Sequence, residues 1–163
     1  MAEYPGAKIL AEFFPTELLD RLVEDIRSSS IRRRELSFTN DPIPECLQDA
    51  AIFASERTKH RFNMAIMKWY RVTDEYESLS YISHLDPPEL RSIPLVLCTL
   101  TGEADLIYWD ADGQERVIRC LPNTVVLLDS ELEHKVTPPI DPEGERFFLF
   151  LGFDTGHGEW RLN

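Results

Sequence analysis

From residue 61 to residue 153 the chain runs through short apolar stretches separated by turn signals, with no stretch at helical spacing between them. Phe62, Met64 and Ile66 alternate with Asn63, Ala65 and Met67, the period of two that a pleated strand imposes. Further strands are expected at 79–85, 93–100, 104–109, 116–120, 124–128, 134–136 and 146–153. Asp110-Ala111-Asp112-Gly113 supplies a hairpin turn, and Pro122-Asn123 a second turn in which Asn tolerates the left-handed backbone. The runs 93–100 and 147–153 are apolar almost throughout, so both of their faces are expected to be covered. So many short strands in succession specify a sandwich or a barrel. The patterning alone does not choose between them.

The first sixty residues read differently. Leu18, Leu19, Leu22, Val23 and Ile26 form an apolar stripe at helical spacing, with Thr16 as the expected N-cap. A second helix is expected within 44–58, where Leu47, Ala50, Ala51 and Ala54 share a face. The chain of 163 residues is therefore read as one domain, with residues 1–60 as helical support outside a β core at 61–153.

Composition excludes several classes of function. Hydrophobic residues make up 43% and charged residues 28%, as in an ordinary globular protein. A formal net charge of −12 repels a phosphate backbone, so no nucleic-acid partner is expected. The basic run Arg32-Arg33-Arg34 is read as a solvated connection. Cys46, Cys98 and Cys120 have neither the spacing of a zinc site nor that of a disulfide framework. No signal peptide or membrane-length apolar run is apparent, so no membrane partner is expected and a cytoplasmic, reducing location is.

The chemistry gathers on two of the four histidines. His84-Leu85-Asp86 ends a predicted strand, so His84 and Asp86 point to one side. His134 opens a strand several elements later, and a barrel can bring that strand back beside the first. Two imidazoles and a carboxylate on one side of a metal form the facial triad of non-haem iron(II) oxygenases. By itself an HxD motif is more often a pair of surface residues.

Context makes the motif specific. Order and spacing run through His84-Leu85-Asp86, Pro94-Leu95-Val96-Leu97-Cys98-Thr99-Leu100, Ala104-Asp105-Leu106-Ile107-Tyr108-Trp109, Leu121 to Asp129, His134-Lys135-Val136 and Glu145-Arg146-Phe147-Phe148. Over roughly residues 60–153 this succession resembles the Fe(II)/2-oxoglutarate-dependent dioxygenases, in their prolyl-hydroxylase-like branch. The resemblance implies a double-stranded β-helix, that is, a jelly-roll or cupin-like barrel, with N-terminal helices. It implies iron(II) on His84, Asp86 and His134, and 2-oxoglutarate and dioxygen as co-substrates. It also implies hydroxylation of a C–H bond in a small molecule or a peptide side chain, with release of succinate and carbon dioxide.

On that reading Arg146 meets the distal carboxylate of 2-oxoglutarate, for which a guanidinium offers two parallel charge-assisted hydrogen bonds. The competing reading puts Arg146 at the solvated start of its strand beside Glu145. Tyr70 is expected to touch the co-substrate, and Tyr81 and Thr99 to face the same pocket. The chain departs from the family in carrying Asn123 where Gly is frequent, and in the proline-rich stretch 138–142 between His134 and Arg146. Asp86 is the ligand that related halogenases lack, which favours hydroxylation. The acidic stretch 71–80 and the stretch 87–92 are expected rims that suit a neutral or cationic substrate. A non-catalytic binding module on the same barrel is the alternative. A hydrolase built on Asp129, Ser130 and His134 lacks a nucleophile elbow. Neither the substrate nor the oligomeric state is legible in the sequence.

Overall fold

A computed structural model describes residues 4–71, 81–140 and 144–158. In chain order the elements are β1 (Ala7–Leu10), α1 (Thr16–Ser29), β2 (Arg33–Ser37), α2 (Glu45–Thr58), β3 (Met64–Arg71), β4 (Leu95–Thr101), β5 (Ala104–Trp109), β6 (Glu115–Cys120), β7 (Thr124–Leu128), β8 (His134–Val136) and β9 (Glu145–Gly152). A six-stranded antiparallel sheet runs β1-β7-β4-β9-β3-β2, and a three-stranded sheet runs β6-β5-β8. They are the two faces of the expected jelly roll.

The alternation of β9 shows how the layers are assembled. Phe147, Leu149 and Leu151 point outward and pack with Leu22 and Ile26 of α1 and Leu47, Ala50 and Ala54 of α2. Phe148 and Phe150 point inward and pack with Leu106, Tyr108, Val126 and Val136 across the barrel. Because successive strand residues face opposite sides, an unbroken apolar run is what a strand covered on both faces requires.

Several expectations are corrected. Thr16 is not the cap of α1: Pro15 occupies that position in an extended conformation, and no side chain caps the helix. The expected strand at 79–85 begins outside the described residues; over 81–85 the chain makes only a single bridge, His84 to His134. Arg33 and Arg34 are not a loop but lie in β2, an edge strand paired with β3. Strand β1, at the other edge, had no counterpart in the sequence reading.

Two turns are as expected. Asp110 accepts the Asp112 and Gln114 amides at 2.9 and 3.0 Å, and Gly113 takes φ +78°. Asn123 has φ +53°. Its side chain also accepts from the Phe14 amide and donates to the Phe14 carbonyl, both at 2.9 Å. That reciprocal pair ties the β6–β7 turn to the start of α1, which glycine could not do.

Candidate active site

His84 and His134 are held side by side by backbone. Each donates its amide to the other's carbonyl at 3.0 Å, adding the His84 segment to the edge of β8. The ring centroids lie 4.4 Å apart. Each imidazole uses Nδ1 on a carbonyl two residues upstream: His84 with Ile82 at 2.7 Å and His134 with Leu132 at 3.0 Å. Nδ1 is thus committed as the donor in each ring, and both Nε2 atoms face Asp86. Asp86 Oδ1 lies 3.4 Å from His84 Nε2 and 3.8 Å from His134 Nε2. All three candidate ligand atoms fall within 4.8 Å of one another.

The carboxylate is positioned from behind. Arg91, past a short 3-10 turn at Pro88–Leu90, donates Nε to the Asp86 carbonyl at 2.9 Å, and the Arg91 carbonyl accepts from Ser130 at 3.1 Å. That contact occupies the Ser130 hydroxyl, and His134 Nδ1 is bonded to Leu132, so Asp129, Ser130 and His134 form no proton relay.

Electrostatics fit a metal-binding donor set. Burial pushes the His134 imidazolium below its ordinary pKa. For Asp86, burial opposes ionisation, but the His84 hydrogen bond and the charges of His134, His84 and Lys68 outweigh it, and the carboxyl lies below its usual range. His84 is raised, chiefly by its hydrogen bond to Asp86. An ionised carboxylate beside two Nε2 atoms is the donor set a divalent ion uses, the ion displacing the His84 Nε2 proton as it binds.

A cavity of about 710 Å³ opens beside the triad. Its walls include His84, Asp86, His134, Tyr70, Tyr81 and Phe148. Arg146 is not at a solvated strand end. It is 2% exposed, points inward from β9, and lies behind the rings of Phe148 and Tyr70, its guanidinium carbon 4.8 and 5.6 Å from their centroids. Nη2 donates to Thr99 Oγ1 at 2.8 Å, while Nε and Nη1 are buried with no partner. Buried guanidinium donors without acceptors are costly, and a carboxylate is the group that would satisfy two of them together.

Thr99 thus reaches Arg146 rather than the open cavity. Tyr70 is buried opposite Arg146 in the β3–β9 ladder, with the Tyr81 ring 5.6 Å away. The rim at 72–80 lies outside the described residues. Sequence reasoning passed over Lys68 and Arg91, and it read Arg33, which lines the cavity, as part of a solvated connection. Lys68 could have been found, because it holds the same strand parity as Met64, Ile66 and Tyr70.

Among the described residues no helix is long and apolar enough to cross a membrane. The three cysteines are buried and free. Neither a protein-family model nor a curated protein sequence matches the chain. Solved structures do. A prolyl-4-hydroxylase from Pseudomonas putida superposes with a TM-score of 0.67 at 20% identity, over 92% of this chain and 93% of that one. A prolyl hydroxylase from Trichoplax adhaerens, in complex with a hypoxia inducible factor oxygen degradation domain peptide fragment, gives 0.65 at 15% identity, over 93% and 84%. The chain thus has the jelly-roll fold of the prolyl hydroxylases.

Proposed function

We propose that this chain is an iron(II)- and 2-oxoglutarate-dependent oxygenase that hydroxylates a C–H bond of a small molecule or a peptide side chain. The observation that carries the reading is the pairing of two unmet demands in one barrel. Three ligand atoms converge at the cavity, and behind its aromatic wall a buried guanidinium keeps two donors without acceptors. Neither demand explains the other, and an iron(II)–2-oxoglutarate pair meets both.

His84 Nε2, Asp86 and His134 Nε2 would hold the ion, and Arg146 would take the distal carboxylate of the co-substrate. When bound, the pair supplies oxidative decarboxylation to succinate and carbon dioxide coupled to activation of dioxygen. The protein's own contribution is positional. The Ile82 and Leu132 carbonyls fix the imidazole tautomers. Thr99 orients the guanidinium. Tyr70, Tyr81 and Phe148 wall the cavity against water. The peptide bound by the Trichoplax enzyme keeps peptide side chains among the substrates considered.

The test is an anaerobic titration of the protein with iron(II) and 2-oxoglutarate, following the weak visible charge-transfer band of the chelate. The band is expected in the wild type, absent in Asp86→Ala and weakened in Arg146→Ala. Folded wild-type protein that gives no band would sink the oxygenase reading and leave a binding module on the same barrel.

A further inference from the structure

Of the three free cysteines, one stands on the inner face of the barrel. Cys46 and Cys98 belong to the outer core, beneath the helices. Cys120 ends β6, is 3% exposed, and belongs to the inner core with Leu106, Ile118, Val126 and Phe148. Its cross-strand partner on β5 is Ala104, which contributes only a methyl; Tyr108, four residues further along β5, opposes His134. At a strand's rise, Cys120 therefore lies about 13 Å along the barrel from the level of the metal ligands.

Arg146 and Thr99 meet at that same end. Burial pushes the Cys120 thiol above its ordinary pKa, while the Arg146 charge and the Thr99 hydroxyl draw it partly back. The sulfur thus sits beside the 2.8 Å hydrogen bond from Arg146 Nη2 to Thr99 Oγ1. A buried cysteine is ordinarily a small hydrophobe that fills space. This one fills space next to a guanidinium that is 2% exposed and keeps Nε and Nη1 without partners, two donors that call for an anion. Interiors are packed closely enough that a change of one methylene is felt.

We propose that Cys120 is the floor of the co-substrate subsite, limiting with Thr99 how far a dicarboxylate tail reaches at Arg146, and so selecting a five-carbon 2-oxo diacid over a six-carbon one. This rests on the oxygenase reading and adds to it the residue that sets co-substrate length. Cys120 acts by volume, as a specificity-determining residue. A pocket that is one methylene too short rejects the longer ligand by roughly 10–200-fold.

The experiment uses full-length protein loaded with zinc(II), and titrates 2-oxoglutarate and 2-oxoadipate by calorimetry. Wild type is expected to prefer 2-oxoglutarate by at least about tenfold. Cys120→Ala should lower that ratio about tenfold through tighter binding of 2-oxoadipate, and Cys120→Val, which adds a methyl, should weaken 2-oxoglutarate about tenfold. Zinc affinity should be unchanged in both. A second measurement needs no substitution: in wild-type protein labelled with carbon-13 at the cysteine Cβ, 2-oxoglutarate should move the Cys120 resonance and leave those of Cys46 and Cys98 in place. Three results overturn the proposal while the oxygenase reading stands: equal affinity of wild type for the two diacids, a ratio unmoved in Cys120→Ala, or a Cys120 resonance that stays still as 2-oxoglutarate binds. Wild type that binds neither diacid overturns both.

Discussion

Replacing Arg146 by Met should do two things of opposite sign. In the ligand-free protein the arginine makes one side-chain hydrogen bond, to Thr99, and packs against Phe148 and Tyr70. The hydrogen bond contributes about 1.5–3 kcal/mol and the cation–π contacts about 1–2 kcal/mol. Against this, two buried donors go unsatisfied, at about 1–3 kcal/mol each. The two sides nearly cancel, so Arg146→Met should unfold within about 1 kcal/mol of wild type in urea, where breaking a satisfied buried ion pair costs about 3–5 kcal/mol. The response to co-substrate should differ sharply. With metal and 2-oxoglutarate at a hundred times its dissociation constant, wild type gains about 2.7 kcal/mol, or roughly 5–10 °C in melting temperature. The variant loses two charge-assisted bonds and with them at least about a hundredfold in affinity, so the same addition should shift its melting temperature by less than about 2 °C. The assay is urea and thermal unfolding with and without ligand. A variant several kcal/mol less stable that still responds to 2-oxoglutarate would refute the reasoning and make Arg146 a structural residue.

Other changes test how the site is framed. Asn123→Gly keeps the left-handed turn but removes both bonds to Phe14, and should cost about 1–3 kcal/mol in urea unfolding. Gly102→Ala puts a Cβ 2.3 Å from the Glu145 carbonyl oxygen at φ +82°, beside an irregularity in the β4–β9 register. It should destabilise by at least about 1–3 kcal/mol and weaken 2-oxoglutarate binding through displacement of Arg146, measurable by calorimetry. Asp110 is lowered below its ordinary 3.8, first by Arg116 and then by the amides of its turn. A depressed acid stabilises the fold above its unfolded value and loses that contribution as pH falls through the folded one. Asp110→Asn should therefore be less stable than wild type at pH 7, and the gap in denaturation midpoint should close below about pH 4.

The strands whose ends the sequence placed correctly are those with a hard physical edge. The expectations at 104–109, 124–128 and 134–136 coincide with β5, β7 and β8, which turns such as Asp110–Gly113 and Pro122-Asn123 punctuate. The apolar faces of α1 and α2 were legible because helical periodicity survives in fourteen residues. The edge strands of the larger sheet, β1 and β2, were not. In β2 the sequence Arg-Arg-Glu-Leu-Ser carries charge where a central strand would be apolar, because an edge strand is protected from further pairing by charge, and this hides its period. The three candidate ligands were visible as a motif, and Arg146 as a charge in an apolar run. Lys68 was overlooked because inward parity was followed only through the apolar positions of β3. The triad's convergence depends on the His84–His134 bridge, a contact across distant sequence that no local pattern encodes.

That bridge has a mechanical consequence. The His84 segment is tied to β8 by two backbone hydrogen bonds, at the open edge of the smaller sheet. On the proposed function, an ion shared by His84, Asp86 and His134 would act there as a rivet, closing the ring of chain from residue 84 to residue 134 as a disulfide would. By the chain-entropy account a ring of that size is worth roughly 4 kcal/mol. Occupancy of the site would thereby be written into the seam of the barrel. The amide protons of His84 and His134 should exchange slowly with the rivet in place and fast with it out, so hydrogen exchange at two backbone sites would read metal occupancy without any turnover.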